Sequence, residues 1–343
     1  MNKFRFKTCF FLLLLVVVVL FYIWSRLFLV SLCLVILADL ISLHYIPTFL
    51  KKKLPKIGYA IIKYCGLLTL FIFFAIFIRI FFFDVYFVPS NSMESTLSPN
   101  DYVLVNKFLY GVKIPIYKRD MPIIGSLFKD NYTEYYYDLY TPLKALKDFS
   151  REDIVVFKST EINTKFLVKR IIGLPGDTLQ IKDTDVFIND TKLPQRENYC
   201  YNYIKINNGL FSIFKNLSNN EFNALNAKQK SMLNKKIDSI SNSYIIFPYS
   251  KQSKWTRDDY GKIVIPKKGQ TIALSKENYD FYKAIIKYYE KEIFQLGKGE
   301  QKNYTFKKNY YFMMGDNRHN SIDSRSYGFV PESYIQGKMV AKF

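Results

Sequence analysis

The chain opens with long apolar runs and later settles into short, interrupted ones. Thr8 to Ser25 is almost wholly apolar, Arg26 interrupts, and Leu27 to Ile46 is apolar again apart from Asp39 and His44. A further run covers Tyr64 to Phe83, with Arg79 near its end. About 20 apolar residues span the hydrocarbon core of a bilayer. Residues 8–46 are therefore too long for one span and just long enough for two. The pattern predicts a hairpin turning near Arg26, or instead one long tilted or partly interfacial helix. A last span follows at Tyr64–Phe83. Lys3, Arg5 and Lys7 precede the first run, and Lys51-Lys52-Lys53-Leu54-Pro55-Lys56 reads as a basic loop. Basic loops stay on the cytoplasmic side. Keeping both inside favours three spans over two and sends everything after Asp84 across the membrane. No small-x-small site follows the first run, so it reads as an uncleaved anchor.

Beyond Phe83 the pattern is that of strands. Val85–Val88, Tyr102–Phe108, Asp153–Phe157 and Lys165–Ile172 are short and rich in β-branched and aromatic residues. Gly111–Tyr140 is Tyr-rich and irregular, and is expected to be loop. Leu174-Pro175-Gly176-Asp177 has the residues of a type II turn. Thr178–Ile181 and Val186–Ile188 then form a hairpin pair, with a turn at Asn189-Asp190 before Lys192-Leu193. Residues 197–300 change character, being rich in Asn, Lys, Ser and Tyr. Helical spacing at Asn219–Ser239 and Lys276–Leu296 brackets a strand-like Tyr260–Pro266. Strands resume at Tyr310–Met314 and at Met339–Phe343. The expectation is a mostly β fold: a membrane-anchored antiparallel β domain with N-terminal transmembrane helices and an inserted mixed α/β region. Residues 1–84 form the anchor, 85–196 the first part of the β domain, 197–300 the insertion and 301–343 the last part.

Composition narrows the chemistry. The formal charge is +20 over 343 residues. Its lysines are scattered among acids with no compact recognition motif, which argues against nucleic acid. A solvated basic surface with a compositional bias toward Lys, Asn and Ile accounts for the charge, with attraction to anionic lipid beside the anchor as an addition. Of Cys9, Cys33, Cys65 and Cys200, only the last lies outside the apolar runs. The β domain thus has no internal disulfide, and no Cys/His spacing suggests a metal. A serine needs a base, but the only histidines are His44, in an apolar run, and His319. A Ser-His-Asp triad is a weak reading. Lysine serves as a base when burial lowers its pKa. Lys169 sits in a strand with Leu167 and Ile171 on its own face, although a strand lysine that reaches water has the same pattern. Two serines, Ser90 and Ser92, follow the last apolar run after Val88-Pro89. The Gly315–Arg325 stretch is dense in Gly, Asp, Asn, Ser and Arg, with Asp323 able to pair Arg170, Arg318 or Arg325.

Taken together, these segments resemble the type I signal peptidases. Ser90-Asn91-Ser92-Met93 with Thr96-Leu97 and Asp101–Gly111 resembles that family's nucleophile region. Asp153-Ile154-Val155 resembles its third box. Lys169-Arg170-x-x-Gly173-x-Pro175-Gly176-Asp177 resembles its lysine box. Gly315-Asp316-Asn317-Arg318 with Ser321-x-Asp323-Ser324-Arg325-x-x-Gly328-x-Val330-Pro331 resembles the last. The likeness covers roughly residues 85–111, 151–190 and 308–343, with a looser match over Trp255–Leu274. It implies that Ser92 is the nucleophile and Lys169 the general base. Ser90 would donate to the oxyanion, Ser321 would orient Lys169, and Asp323 with Arg170 and Arg325 would brace the site. It implies no cofactor and no metal. Substrates would be signal-peptide-bearing preproteins with small residues at −1 and −3, cut by a monomer in the cell membrane whose catalytic domain faces the periplasmic or extracellular side. Ser95 stands where proline is usual, Asn100 and Glu152 where glycine is usual, and His319 where aspartate is common. A soluble Ser-Lys self-cleaving regulator and a catalytically inactive membrane scaffold binding exported chains are the rival readings. The apolar runs count against the first, and the joint presence of Ser90, Ser92 and Lys169 against the second.

Overall fold

In the computed structural model, the described residues are 51–115, 123, 140–142, 144–160, 166–207, 210–238, 245–249, 254–297 and 299–343, with scattered positions before 51. Most of the expected spans over residues 8–46 and most of the expected Gly111–Tyr140 loop lie outside them; the described positions between 8 and 19 are helical. The chain divides into two compact units, residues 1–80 with 117–130, and residues 81–116 with 131–343.

The first unit contains most of helix α1, Lys56–Phe81, which is long and apolar enough to cross a membrane. It starts earlier than Tyr64, because Pro55 suits a helix start, its carbonyl accepting from Tyr59 N–H at 3.0 Å. Lys51–Lys53 is helical rather than loop, in keeping with the good helix propensity of lysine. Phe83 belongs to the strand that follows.

The second unit is antiparallel and β-rich. Its strands begin with β1 (Phe83–Phe87), β2 (Tyr102–Asn106), β3 (Lys113–Pro115), β4 (Tyr140–Pro142), β5 (Ile154–Lys158) and β6 (Phe166–Gly173). Next come β7 (Thr178–Lys182), β8 (Asp185–Ile188), β9 (Thr191–Lys192), β10 (Cys200–Asn207), β11 (Leu210–Ser218) and β12 (Leu233–Lys235). The last are β13 (Tyr260–Val264), β14 (Thr271–Leu274), β15 (Lys302–Thr305), β16 (Tyr310–Met314), β17 (Val330–Pro331) and β18 (Ile335–Lys342). The main sheet runs β1-β2-β18-β5-β6-β16-β17. Strand β3, inside the stretch expected to be loop, pairs with β4, which begins where that stretch ends.

The turns follow their residues. Gly176 has φ +94° and Asp177 N–H returns to Leu174 C=O at 3.1 Å, as a type II turn requires. Asn189 and Asp190 both have positive φ and close a two-residue hairpin between β8 and β9. Between 197 and 300 the helical spacing is realised only in pieces. Short helices α2 (Asn219–Ala224) and α3 (Ala227–Ser231) are each closed by a capping box, and β12 then follows. Helix α4 (Tyr279–Ala284) runs into a π turn at Ile285–Tyr289. Strands β10, β11 and β12 form a separate three-stranded sheet, whereas β13 pairs with β7.

Candidate active site

Ser92 lies in a one-turn 3-10 helix, Asn91–Met93, entered from an extended Ser90. The turn is anchored by its apolar neighbours. Met93 and Leu97 are buried with Val88, Val103, Val105, Val156 and Val168. Each such side chain contributes about 1.5–3 kcal/mol on burial, and Leu97 N–H closes onto Met93 C=O at 2.7 Å. Ser92, immediately before Met93, is thereby held beside this core and is itself buried.

Lys169 comes from β6, where Val155 of β5 is its cross-strand partner. The strand is buried from Val168 to Gly173, so its lysine cannot reach water along either face. Nζ lies 2.6 Å from Ser92 Oγ and 2.9 Å from Val168 C=O. Only 3% of the residue is exposed. Burial pushes its pKa down to about 8, against a smaller upward pull from Asp323 and Asp316. Ser90 Oγ–H points at Ser92 Oγ across 3.3 Å.

The two arginines are braced separately. Arg170, next along β6, grips Asp316 through Nε at 2.8 Å and Nη2 at 2.5 Å, and its Nη1 donates to Glu152 C=O at 2.9 Å. Asp323 instead pairs with Arg325, at 2.9 and 2.8 Å. Of the three partners open to Asp323, namely Arg170, Arg318 and Arg325, it takes Arg325, while Arg170 projects toward the 315–318 turn, where Asp316 meets it. Asp323 also accepts from Gly315 N–H at 3.0 Å and caps helix α5, Ser324–Tyr327. Ser321, expected to orient Lys169, is buried, and its hydroxyl helps to hold the Asp323 carboxyl below the usual carboxylate range. Its Oγ packs over Gly315, where a Cβ would sit 2.3 Å from it and 2.5 Å from Ser92 C=O. Only glycine allows the 315 loop to approach the nucleophile so closely.

His319 pairs with Asp258 at 2.9 Å, two-thirds of a serine-protease triad in outline. However, its Nδ1 accepts from Asn202 N–H at 2.9 Å. Both ring nitrogens are thereby occupied, and neither serves Ser92. Sequence reasoning left three contributors without a role. Asp316 and Asn317 stand inside the quoted Gly-Asp-Asn-Arg motif, but their partners are distant in sequence. Asn317 N–H donates to Ser92 C=O at 3.1 Å. Glu152, in a positive-φ turn, receives Tyr199 OH at 3.0 Å and Arg196 at 2.5 Å.

With this geometry in place, comparison with known proteins is informative. The family described as "Signal peptidase, peptidase S26" matches residues 61–343. Signal peptidase I of Buchnera aphidicola subsp. Schizaphis graminum is 30% identical over 277 residues, covering 78% of this chain and 70% of that relative. The Buchnera aphidicola subsp. Baizongia pistaciae protein of the same name is 31% identical over 278 residues, covering 77% and 70%. That of Rickettsia massiliae is 27% identical over 267 residues, covering 76% and 71%. A crystal structure of a signal peptidase I from Enterococcus faecalis V583 shares 21% identity, covering 57% of this chain and 98% of that one, at a TM-score of 0.25. At that score the structural likeness carries no weight here.

Proposed function

Since this chain belongs to the signal peptidase family, peptidase S26, we propose that it is a membrane-bound type I signal peptidase that cuts signal peptides from exported preproteins with a Ser92 nucleophile and a Lys169 base. The observation that carries this reading is the buried 2.6 Å contact between Lys169 Nζ and Ser92 Oγ. A lysine taken from water is partly neutral near pH 8 and can accept the serine proton.

Ser92 Oγ attacks the scissile carbonyl carbon, forming a C–O bond as its proton passes to Lys169 Nζ. The resulting oxyanion accepts hydrogen bonds from Ser92 N–H and from Ser90 Oγ–H, which must rotate away from Ser92 Oγ to reach it. Collapse breaks the C–N bond, and the Lys169 ammonium returns its proton to the leaving amine. Water then attacks the ester with Lys169 again as base, freeing Ser92 and the carboxylate product. Arg170–Asp316 and Asp323–Arg325 hold the two loops, and Gly315 with Ser321 shapes the floor beneath Ser92.

Residues 1–84 form the anchor, 85–196 and 301–343 the catalytic β domain, and 197–300 its insertion. Helix α1 supports membrane attachment by length and composition. The basic Lys51–Lys53 beside it supports a cytoplasmic start and a catalytic domain on the far side. Only β1 and the Val88-Pro89 linker separate the helix end at Phe81 from the serines. A signal peptide whose apolar segment lies in the bilayer therefore presents its cleavage site where Ser92 emerges. The net positive charge adds attraction to anionic lipid.

The test is cleavage of a preprotein by detergent-purified wild type, Ser92→Ala and Lys169→Ala. Cleavage at one small-x-small site that both substitutions abolish is the expected result. Cleavage surviving Ser92→Ala would assign the nucleophile elsewhere.

A further inference from the structure

We propose that Asn216, on strand β11 of the inserted hairpin, is a positioning residue for the oxyanion hole, acting through Asn317 on the peptide that carries Ser92 N–H. This inference rests on Ser92 being the nucleophile of the reading above.

The peptide unit between Asn91 and Ser92 is planar, with its C=O and N–H pointing in opposite directions. Whatever fixes Asn91 C=O therefore aims Ser92 N–H. Two donors hold that carbonyl: Glu94 N–H at 3.1 Å, within the turn itself, and Asn317 Nδ2 at 3.0 Å. Asn317 Nδ2 also reaches Glu94 Oε2 at 3.0 Å. A hydrogen bond to the carbonyl end also polarises the peptide and strengthens the N–H at the other end.

Asn317 can do this only with its amide the right way round. An inverted amide would set its oxygen against both Asn91 C=O and the Glu94 carboxylate. Its orientation is set from the far side, where Asn317 Oδ1 accepts from Asn216 Nδ2 at 3.0 Å and from Asn320 Nδ2 at 3.2 Å. Asn216 Nδ2 in turn donates to Asn202 Oδ1 at 2.8 Å, on the paired strand β10. Asn320 is exposed, whereas Asn216 is half-buried against the hairpin, so Asn216 is the more fixed of the two donors.

The hairpin itself is fastened to the 315–320 loop by backbone. Cys200 N–H donates to Asp316 C=O and Arg318 N–H to Cys200 C=O, each at 2.9 Å. Asn202 N–H holds His319 Nδ1, whose other nitrogen meets Asp258. The ladder thus runs from the insertion, through Asn216 and Asn317, to the nucleophile turn, without touching Lys169.

The experiment is steady-state kinetics and thermal denaturation of Asn216→Ala and Asn216→Asp beside wild type, on a peptide spanning a small-x-small site. Removing an oxyanion donor outright costs 10²–10³ in kcat. Loss of a group that only orients the donor should lower kcat about tenfold, with KM within about twofold and the pH midpoint unmoved, because Lys169 is untouched. Asn216→Asp sets a carboxylate against Asn202 Oδ1 and Asn317 Oδ1 and should lower kcat further. It also keeps the side-chain shape, so a folding defect in the alanine variant leaves the test intact. A kcat within twofold of wild type in a folded Asn216→Asp would overturn the inference, as would a loss that merely tracks the melting temperature. Wild type that does not cleave would overturn the underlying reading together with this one. Wild type that cleaves, beside variants that cleave equally well, overturns this one alone.

Discussion

The pH dependence of cleavage tests the site most directly. Lys169 is 3% exposed, and its burial lowers the ammonium pKa from 10.5 to about 8. If the neutral amine is the base, activity follows the neutral fraction. That fraction is about 1% at pH 6, about a tenth at pH 7, half at pH 8 and nearly all at pH 9.5. The expected kcat/KM therefore rises about tenfold per pH unit from 6 to 7.5, bends near 8 and levels off above 9. The assay is hydrolysis of an internally quenched peptide in detergent micelles, from pH 6 to 10. Each pH needs a check that the enzyme recovers full activity on return to pH 8, which separates titration from unfolding. A profile flat from 6 to 9 would refute the assignment of Lys169 as base. A profile still rising about tenfold per pH unit up to pH 10 would refute its desolvation.

The same burial predicts a stability effect of definite sign. Between about 8 and 10.5 the unfolded chain holds the Lys169 proton and the folded one does not, so stability rises with pH there. Below pH 8 the folded protein bears the full cost of a buried ammonium, about 3 kcal/mol. Lys169→Met should therefore be the more stable protein by urea denaturation at pH 7, by up to that amount less its lost hydrogen bonds, and the gap should narrow toward pH 10.5. Gly315→Ala should cut kcat/KM by more than about tenfold, a fall measurable with the same peptide, because its Cβ would meet Ser92 C=O at 2.5 Å and Ser321 Oγ at 2.3 Å. Arg170→Met would leave Asp316 buried and uncompensated, with an expected destabilisation of about 3–5 kcal/mol read as a lower urea midpoint.

What could be read from the sequence, and what could not, divides along physical lines. Strands β2, β5, β6 and β16 were legible because β-branched and aromatic runs are a local signal. So was the turn at Pro175-Gly176, where the backbone needs a positive φ. Asn100 and Glu152, where the family usually has glycine, keep the positive-φ geometry that glycine would supply, at +76° and +74°. These two turns are thus maintained by their surroundings and not by residue choice. Ser95 differs: it stands where proline is usual, yet its φ of +71° is one that the proline ring does not allow. The helical spacing at 219–239 and 276–296 misled, because capping boxes and a π turn divide those stretches into single turns. Ser92 and Lys169 were legible as candidates, but their contact spans β1 to β6 and no local pattern carries it. The exchange of partners among Arg170, Asp316, Asp323 and Arg325 was not legible for the same reason. All four are charged and all are buried, Arg170 in one motif and the other three in another, so only the path of the folded chain decides which pair forms.

The order of strands in the main sheet has a consequence for how the protein comes into being. Strand β18 lies between β2 and β5, yet its residues leave the ribosome after those of every other strand. Until they do, the β1-β2 hairpin, with the nucleophile turn between its strands, has no backbone ladder joining it to β5 and to the strand bearing Lys169. The pairing is long-range and therefore slow to form. A growing chain would thus carry both Ser92 and Lys169, from the emergence of β6 until that of β18, before the sheet that holds them in register is complete.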